Sequence, residues 1–284
     1  MKNFRDKRCF ITGAASGIGR ATALALASEG AALALTDINA EALADTAQQA
    51  QALGARILGV FAADIADYKT VQGLADTLHE QYGAMDMVMN IAGISTWGTI
   101  ENLRHEHWRQ LIEINLMGPI HVLECFVPKM IEAGQGGHIV NVSSAAGLFG
   151  LPWHAAYSAT KFGLRGISEV LRFDLRQHNI GVSLVCPGAV NTGLVETINV
   201  VGVDRHHPRA KALLARFQKH AVTPEKAARC ILKGVRKNRY MVFTSTDIRV
   251  GYWFMRKFSL PYEIAMRILS RVLSSQVKAI ESGK

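Results

Sequence analysis

The sequence contains only four cysteines, and their spacing excludes two classes of protein. Cys9, Cys125, Cys186 and Cys230 lie far apart, and none belongs to a Cys-x-x-Cys pair. Neither the disulfide framework of a small secreted protein nor a zinc site is therefore indicated. We expect four thiols in a reducing compartment, the cytoplasm.

Long hydrophobic runs are also absent. The most apolar stretch, residues 21–35, contains Glu29 and Gly30 and is shorter than the roughly 20 residues that a membrane-spanning helix needs. Residues 1–8 are basic, as at the start of a signal peptide, but Thr12 and Gly13 soon interrupt the apolar run that follows. We expect a chain that is not exported and does not cross a bilayer.

Charge is sparse and unevenly placed. Charged residues make up 19% of the chain and hydrophobic residues 49%, a balance that predicts a globular fold and excludes intrinsic disorder. Residues 1–200 carry 14 basic and 18 acidic side chains, a net charge of −4, whereas residues 201–284 carry 18 and 5, a net charge of +13. Such a basic segment suits nucleic acid, an anionic membrane surface or an acidic partner.

Short β-type segments alternate with longer segments of helical periodicity, which is the pattern of βαβ units. The pattern predicts an α/β fold of Rossmann type, with one doubly wound, seven-stranded parallel sheet flanked by helices. Strands are expected at residues 8–12, 32–36, 56–61, 87–90, 138–142, 181–186 and 240–243. Helices are expected at residues 17–29, 40–53, 68–82, 106–132, 155–178 and 224–237.

Residues 1–245 are expected to form one dinucleotide-binding and catalytic domain. Within it, residues 189–222 break the periodicity with several glycines and follow a strand end, where ligands of open α/β sheets bind. We interpret this stretch as a lid over the substrate. Residues 246–284 are interpreted as a basic C-terminal extension.

A glycine-rich turn, Thr12-Gly-Ala-Ala-Ser-Gly-Ile-Gly19, connects the first strand to a helix. The free amides and positive dipole end of a helix N-terminus bind a pyrophosphate, and glycine lets the backbone approach it closely. An ordinary tight connection has similar composition, but the order of strand, turn and helix favours nucleotide binding.

Asp37 stands at the end of the second strand, 18 residues after Gly19. Its carboxylate could accept hydrogen bonds from the adenosine ribose and would repel a 2′-phosphate, so we expect NAD rather than NADP. The alternative is that Asp37 caps the following helix, a role that Asn39 could also fill.

Tyr157 and Lys161 are four residues apart and therefore share one face of the predicted helix. A tyrosine with a pKa of about 10 is a poor base at neutral pH, but a nearby ammonium group and a positive nicotinamide ring favour the phenolate. The preceding strand leads into Ser143-Ser144, and a serine hydroxyl there could hold a substrate oxygen on which charge develops. Such a pair often arises by chance on a helix surface, but its place beside the nucleotide turn favours catalysis.

These motifs together resemble the short-chain dehydrogenase/reductase family over about residues 5–245. The matching motifs are the glycine-rich turn, Asn90-Ile-Ala-Gly93, Ser144, Tyr157-Ser-Ala-Thr-Lys161 and Pro187-Gly188, and Ile91 departs from the family's usual asparagine. The resemblance implies that Tyr157 is the acid/base, that Lys161 binds the nicotinamide ribose and lowers the tyrosine pKa, and that Ser144 orients the substrate. It implies further that Asn115 holds a water in a proton relay, the alternative being a buried asparagine bonded within its own helix.

The resemblance also assigns a set of residues to the cofactor. They are Gly13, Ser16, Gly17, Ile18, Gly19 and Asp37; Asp64 and Ile65 at the adenine; Asn90, Ala92 and Gly93; Tyr157 and Lys161; and Pro187, Gly188, Val190 and Thr192 at the nicotinamide carboxamide. It implies a homodimer or homotetramer that assembles through helices 106–132 and 155–178.

Mostly apolar side chains are candidates for the substrate pocket. Besides Ser144 and Tyr157, they are Trp153 and His154, then Trp97, Phe149 and Leu151, and the lid residues Leu194, Val195 and Ile198. Several of them could instead be ordinary core residues. An apolar pocket suits a small hydrophobic alcohol or ketone, such as a steroid, a retinoid or a long-chain alcohol. No metal site is expected, because His105, His107, His206 and His207 do not form a credible ligand set.

The C-terminal extension is predicted to contain a basic amphipathic helix after Pro261. Its apolar face holds Ile264, Ala265, Ile268, Leu269, Val272 and Leu273, and another face holds Arg267, Arg271, Ser274 and Lys278. Residues 252–258 add aromatic side chains beside cations, a composition typical of a segment at a membrane interface. The alternative is that the helix packs over the substrate cleft or against a partner subunit.

Two further interpretations compete with an NAD-dependent alcohol dehydrogenase or ketone reductase. One is a non-catalytic nucleotide-binding sensor or scaffold, against which the intact Ser144, Tyr157 and Lys161 count. The other is a nucleic-acid binder, but the basic residues accompany an apolar helical stripe and no recognisable reader motif. We therefore expect no nucleic-acid partner.

Overall fold

The computed structural model describes residue 1 and residues 3–192, 199–202 and 221–281, with side chains described as far as residue 272. Seven parallel strands form one sheet in the order β3-β2-β1-β4-β6-β7-β9, and β5 and β8 form a separate parallel pair. The strands are β1 Arg8–Thr12, β2 Ala32–Asp37, β3 Arg56–Ala62, β4 Met87–Asn90, β5 Thr96–Trp97, β6 Gly137–Val142, β7 Ile180–Cys186, β8 Asn199–Val200 and β9 Met241–Phe243. The predicted doubly wound α/β sheet is confirmed.

Nine α-helices connect or follow these strands in the described part of the chain. They are α1 Gly17–Ala27, α2 Ala40–Ala52, α3 Tyr68–Tyr82, α4 His105–Ile112, α5 Gly118–Ala133, α6 Ala155–Asp174, α7 Pro224–Arg236, α8 Thr246–Lys257 and α9 Ser259–Glu281. A π-helical turn, Glu113–Met117, joins α4 to α5. The sequence predicted one helix over residues 106–132 and did not reveal this turn, because its apolar spacing is close to that of an α-helix.

Alternate residues of each strand point to opposite faces of the sheet, and each face is covered by a hydrophobic layer. Ile11 and its counterparts pack under α1, α2 and α7, whereas Phe10 packs under α3 and α5, where it stacks on Phe126 at 4.4 Å between ring centroids. Because both faces of the sheet are covered, the strands are apolar throughout. The strand order reverses between β1 and β4, which opens a crevice at their carboxyl ends for a ligand.

The continuous helical stretch His105–Ala133 is long and apolar enough to span a membrane by length and composition alone. Half of its most apolar window is buried inside the protein. Val122, Phe126 and Met130 from this stretch belong to the layer under the sheet. We therefore interpret it as a core helix.

Of the predicted lid, the structure describes residues 189–192, 199–202, 221 and 222. Val190 pairs with Val222 in a parallel bridge, and Asn199–Val200 pairs with Thr96–Trp97, a contact that the sequence did not predict. Leu194, Val195 and Ile198 lie outside the described residues. The boundaries of the lid and of the catalytic domain stay predictions.

The C-terminal extension contains two helices where the sequence predicted one. The stretch 252–258, interpreted as an interfacial segment, spans the end of α8 and the start of the connection to α9. Within it Tyr252 is only 7% exposed, because it packs against Leu148, Leu184 and Cys186. Tyr252 is therefore a core residue and is not available to a membrane.

Candidate active site

The glycine-rich turn between β1 and α1 is packed so closely against neighbouring backbone that two of its glycines could not carry a side chain. Gly13 has φ +69°, and a Cβ there would lie 2.8 Å from the backbone N and Cα of Ala92. A Cβ on Gly19 would lie 1.9 Å from the carbonyl oxygen of Gly13. The Ser16 side chain makes no capping bond to α1, so the amides of the first helical turn face the crevice.

Asp37 is held at the carboxyl end of β2, beside this turn. Its two carboxylate oxygens accept hydrogen bonds from the amides of Ala15 and Asn39, each at 3.0 Å. Asn39, and not Asp37, caps α2 by accepting from the amide of Ala42. The helix-cap alternative for Asp37 is therefore wrong, and the half-buried carboxylate keeps lone pairs for ribose hydroxyls.

Thr12, the first residue of the glycine-rich motif, positions part of the site and was not predicted to do so. Its hydroxyl oxygen accepts from the amides of Ile91 and Ala92 at 3.0 and 3.1 Å. These bonds hold the segment after β4 against the glycine-rich turn. Its position immediately before Gly13 was the only available signal, since its partners lie about 80 residues away in sequence.

Asp64 and Ile65, predicted to contact adenine, differ in exposure. Asp64 is exposed and accepts a hydrogen bond from the amide of Ala66. Ile65 is buried, and its side chain packs where a Cβ on Gly118 would lie 2.7 Å away. Of this predicted pair, Asp64 is the one whose side chain is accessible.

Asn90 begins a chain of buried amides and hydroxyls. Its amide group donates to Asn141 Oδ1 at 2.9 Å, and Asn141 in turn donates to Ser168 Oγ at 2.9 Å. These bonds join β4, β6 and α6, so the helix that carries Tyr157 and Lys161 is held in register with the sheet. The Asn90 Oδ1 atom is buried and makes no hydrogen bond within the protein.

Asn115 lies in the π-helical turn and is fully buried. Its side chain accepts from the Ile94 amide at 2.8 Å and donates to the Ile94 carbonyl at 2.9 Å. The alternative of an asparagine bonded within its own helix is therefore wrong. A Cβ on Gly93 would lie 2.9 Å from Asn115 Oδ1 and 3.3 Å from Lys161 Nζ, so glycine keeps the space between these groups open.

Ser143 and Ser144 point in different directions from the end of β6. Ser143 is buried and donates to the Lys161 carbonyl at 2.9 Å. Ser144 is half-buried, accepts from the Ala146 amide at 3.1 Å, and has its hydroxyl beside Tyr157. The geometry thus distinguishes a buried positioning serine from one whose hydroxyl can face a ligand.

Tyr157 and Lys161 lie side by side on α6, both almost fully buried. Lys161 Nζ is 5.7 Å from the centre of the tyrosine ring and donates to the Val142 carbonyl at 3.1 Å. Burial raises the pKa of Tyr157 above its ordinary value, and the hydrogen bond with the Ser144 hydroxyl offsets only part of that rise. Burial also lowers the pKa of Lys161 to about 8, so the ammonium form still predominates at neutral pH.

The segment after β7 lies against both the turn and the catalytic loop. The Pro187 carbonyl accepts from the Ala145 amide at 2.7 Å, beside Ser144. A Cβ on Gly17 would lie 3.0 Å from the methyl carbon of Thr192, which places Thr192 beside the nucleotide turn. Gly188 packs against Ile248 of α8, where a Cβ would lie 2.8 Å from the isoleucine side chain.

The ring of His154 lies between those of Trp97 and Tyr157. Its ring centroid is 4.4 Å from that of Trp97 and 6.2 Å from that of Tyr157. Its Nδ1 lies 2.7 Å from the Pro152 carbonyl, so Nδ1 carries the hydrogen, and burial lowers the pKa of the imidazole. Trp153 has a left-handed backbone, φ +69°, which turns the chain at this wall.

The predicted pocket residues fall into two groups. Leu151 packs in the cluster that contains Tyr157, together with Ile94 and Trp108. Phe149 packs instead with Tyr252, in the cluster beneath α8. We therefore assign Phe149 to the contact with the C-terminal helices and not to the pocket around Tyr157. Among the described residues, no group of three or more metal-ligating side chains is placed to hold a metal.

The arrangement fits a dinucleotide. The glycines of the turn have no Cβ atoms, so a pyrophosphate can approach the backbone closely. A family model of short chain dehydrogenases matches residues 7–218. The putative oxidoreductase SadH of Mycobacterium tuberculosis is 35% identical over 251 residues, covering 88% of this chain and 90% of that protein. A C alpha-dehydrogenase of Sphingobium sp. is 32% identical over 258 residues, covering 88% and 84%.

The fold is also found in a solved structure. A short-chain dehydrogenase/reductase from Burkholderia phymatum, in complex with NAD, superimposes with a TM-score of 0.82 at 30% identity and covers 90% of this chain and 95% of its own. Sequence, fold and glycine-rich turn agree. The chain therefore belongs to the short-chain dehydrogenase/reductase family of oxidoreductases, and its Rossmann fold binds NAD.

Proposed function

We propose that the protein is an NAD-dependent alcohol dehydrogenase or ketone reductase, with Tyr157 as its acid/base. The observation that carries this proposal is the packing of Ser144, Tyr157 and Lys161 around one another at the carboxyl end of β6. Isolated tyrosine and lysine side chains on a helix surface would be exposed, whereas both are almost fully buried here. Burial of such groups has a desolvation cost that favours a functional interpretation.

Each catalytic group has one task in the proposed reaction. The Ser144 hydroxyl holds the substrate oxygen, and the Tyr157 oxygen removes its proton during oxidation or supplies one during reduction. The Lys161 ammonium stabilises the phenolate and binds the nicotinamide ribose. NAD supplies the acceptor for the hydride that leaves the alcohol carbon, or its reduced form supplies the hydride for a ketone.

The proton that Tyr157 gains or loses must reach solvent. Asn115 lies close to Lys161, since both flank the space above Gly93. Both polar atoms of the Asn115 side chain are hydrogen-bonded to the main chain of Ile94. We therefore propose that Asn115 fixes the π-helical turn and that a water bound at this turn relays the proton. The remaining predicted cofactor contacts, from Ser16 to Thr192, belong to the same proposal.

A hydrophobic substrate is supported by the side chains around Tyr157. Trp97 and His154 stack in front of it, and Leu151 and Ile94 pack beside it. We therefore propose a small hydrophobic alcohol or ketone, such as a steroid, a retinoid or a long-chain alcohol, bound by Ser144, Trp153, His154 and Tyr157. Its hydroxyl or carbonyl oxygen would be its main polar contact.

A screen of hydrophobic alcohols and ketones with NAD and NADP, followed at the nicotinamide absorbance, tests cofactor, reaction and substrate class together. We expect turnover with NAD and with apolar substrates. Binding of NAD with no turnover across the whole set would favour the alternative, a nucleotide-binding sensor or scaffold. Turnover of only the most polar members of the set would contradict the apolar pocket.

We also propose a homodimer or homotetramer in the cytoplasm. Exposed apolar side chains on α4 and α6 support it, namely Ile112, Phe162, Val170 and Phe173, because these helices carry the interface implied by the family resemblance. The four free cysteines are consistent with a reducing compartment. Light scattering on the purified protein tests the assembly.

Peripheral membrane contact through the C-terminal helices is also part of the proposed function.

A further inference from the structure

The C-terminal helices expose a patch of three aromatic side chains. Trp253, Phe254 and Phe258 are 58%, 42% and 46% exposed and lie against one another, with Phe258 4.9 Å from Phe254 and 6.3 Å from Trp253 between ring centroids. We call these three residues the aromatic patch. Large rings in mutual contact but open to solvent are uncommon on a protein that acts alone in water.

The apolar surface continues from the aromatic patch onto α9. Leu260 and Ile264 are 66% and 50% exposed, and Ile268 follows one turn later with similar exposure. Tyr262, Met266 and Leu269 are the less exposed residues and face the protein. The apolar face predicted from the sequence is therefore turned mostly outward, which argues against the alternative that it covers the substrate cleft.

Cations surround this surface. Residues 246–284 carry seven basic and three acidic side chains, and Arg249, Arg256 and Lys257 are exposed beside the aromatic patch. Aromatic rings that enter the headgroup region, flanked by cations that attract anionic headgroups, are the chemistry of an interfacial segment. A second copy of this chain would have to pair cation with cation if it used the same face.

The aromatic patch is connected to the wall of the active site. Phe258 is one helical turn from Tyr262, whose hydroxyl accepts from the Gly150 amide at 2.9 Å. Tyr252, at the inner side of α8, accepts from Arg165 of the catalytic helix at 2.9 Å. Gly150 begins the short loop that carries Trp153 and His154, so the patch and the substrate wall belong to one packed unit.

We propose that the aromatic patch and its cations dock on an anionic lipid surface, and that this docking holds the mouth of the substrate site at the bilayer. The protein then takes its hydrophobic alcohol or ketone from the membrane. This inference rests on the proposed function for its substrate class. The docking itself does not depend on catalysis.

Vesicle co-sedimentation tests the docking. The full-length protein is mixed with vesicles of phosphatidylcholine alone or with added phosphatidylglycerol, at low and high salt. We expect pelleting with the anionic vesicles that weakens with salt, and a loss of about tenfold or more in the Trp253→Ser, Phe254→Ser, Phe258→Ser triple variant. The matched control, Leu53→Ser with Val60→Ser, removes exposed apolar side chains at the opposite edge of the sheet and should bind normally.

A charge variant keeps the proposal testable if the triple variant does not fold. Arg249→Gln with Lys257→Gln leaves the aromatic patch intact and should lower binding to anionic vesicles about tenfold. Failure of the wild-type protein to pellet with either vesicle overturns the proposal, and so does equal loss in the control. A change of oligomeric state in the triple variant with vesicle binding unchanged would instead identify the patch as an interface between copies.

Activity measurements separate this proposal from the proposed function. With a hydrophobic ketone carried in anionic vesicles, the triple variant should turn over about tenfold more slowly than wild type. With a water-soluble ketone the two should be equal, because the catalytic groups are untouched. Vesicle binding without any turnover would overturn the proposed function and the delivery step but leave the docking established. Equal turnover of the vesicle-borne ketone would overturn the delivery step.

Discussion

The catalytic face of the sheet and the C-terminal helices are held in place by different forces. At the catalytic face, buried polar bonds such as Ser143 to the Lys161 carbonyl and Asn115 to Ile94 fix each side chain. Of the C-terminal helices, α8 is anchored by the buried Tyr252, whereas α9 is attached through Tyr262, which is bonded to Gly150 at an exposed site. A buried bond is costly to break and fixes geometry, whereas an exposed one is easily exchanged for water. We therefore expect a rigid site and a firmly packed α8, with α9 held less tightly.

Replacement of Tyr157 by Phe removes the hydroxyl and almost nothing else, and should have the largest effect. We expect turnover to fall about 10³-fold, because no neighbouring group can exchange the substrate proton. NAD binding, measured by fluorescence titration, should be retained. Near wild-type turnover would mean that the buried tyrosine is only a packing residue. The rigid face of the sheet would then have no catalytic role to set it apart from the C-terminal helices.

The buried His138 offers a way to measure how a polar group in the core makes the free energy of unfolding depend on pH. Its Nε2 donates to Ser183 Oγ at 2.8 Å, because the Ser183 hydroxyl donates its own hydrogen to the Arg239 carbonyl. Burial lowers the pKa of His138 from 6.5 to about 4. Between those values the unfolded chain binds more protons than the folded one, so this residue reduces stability as pH falls from about 6.5 to about 4.

The loss attributable to His138 should reach about 2 kcal/mol at pH 5. Urea unfolding of wild type and His138→Gln at pH 7 and pH 5 measures it. We expect a smaller difference between the two pH values in the variant. Equal differences in both proteins would show that other groups control the acid sensitivity.

Asp37 tests the cofactor side of the catalytic region. Replacement by Ser removes the charge that repels a 2′-phosphate while a hydroxyl remains near the Ala15 amide. The ratio of kcat/KM with NAD to that with NADP should fall about tenfold. An unchanged ratio would mean that another residue determines the preference. Asp45→Ser, on α2 and paired with Arg20, serves as a surface control.

Tyr262→Phe should have the smallest effect, because it removes one exposed hydrogen bond. We expect a loss of about 0.5 kcal/mol in the free energy of unfolding and a change of a few-fold in KM for large hydrophobic substrates. The kcat for a small alcohol should stay the same. A fall in that kcat as large as that of Tyr157→Phe would show that the C-terminal helices are part of the catalytic machinery.

Much of the fold could be predicted because its signals are local. The seven main strands differ from the predicted bounds by at most one residue at either end, since each is an apolar run bounded by turn residues. The π-helical turn and the β5–β8 pair were not predicted. A π-helical turn changes the spacing of apolar residues by only one position, and β5 and β8 are two residues each and about 100 residues apart.

The sequence alone determined the sheet, the glycine-rich turn and the spacing of Tyr157 and Lys161, because periodicity, glycine content and helical register are properties of short segments. Only the tertiary structure decided how the groups meet. It buried Ser143 against the Lys161 carbonyl, bonded Asn115 to Ile94, turned Phe149 and Tyr252 toward each other, and exposed the aromatic patch. Each of these outcomes depends on contacts between different elements of the fold, and a composition or a repeat within one segment carries no information about them.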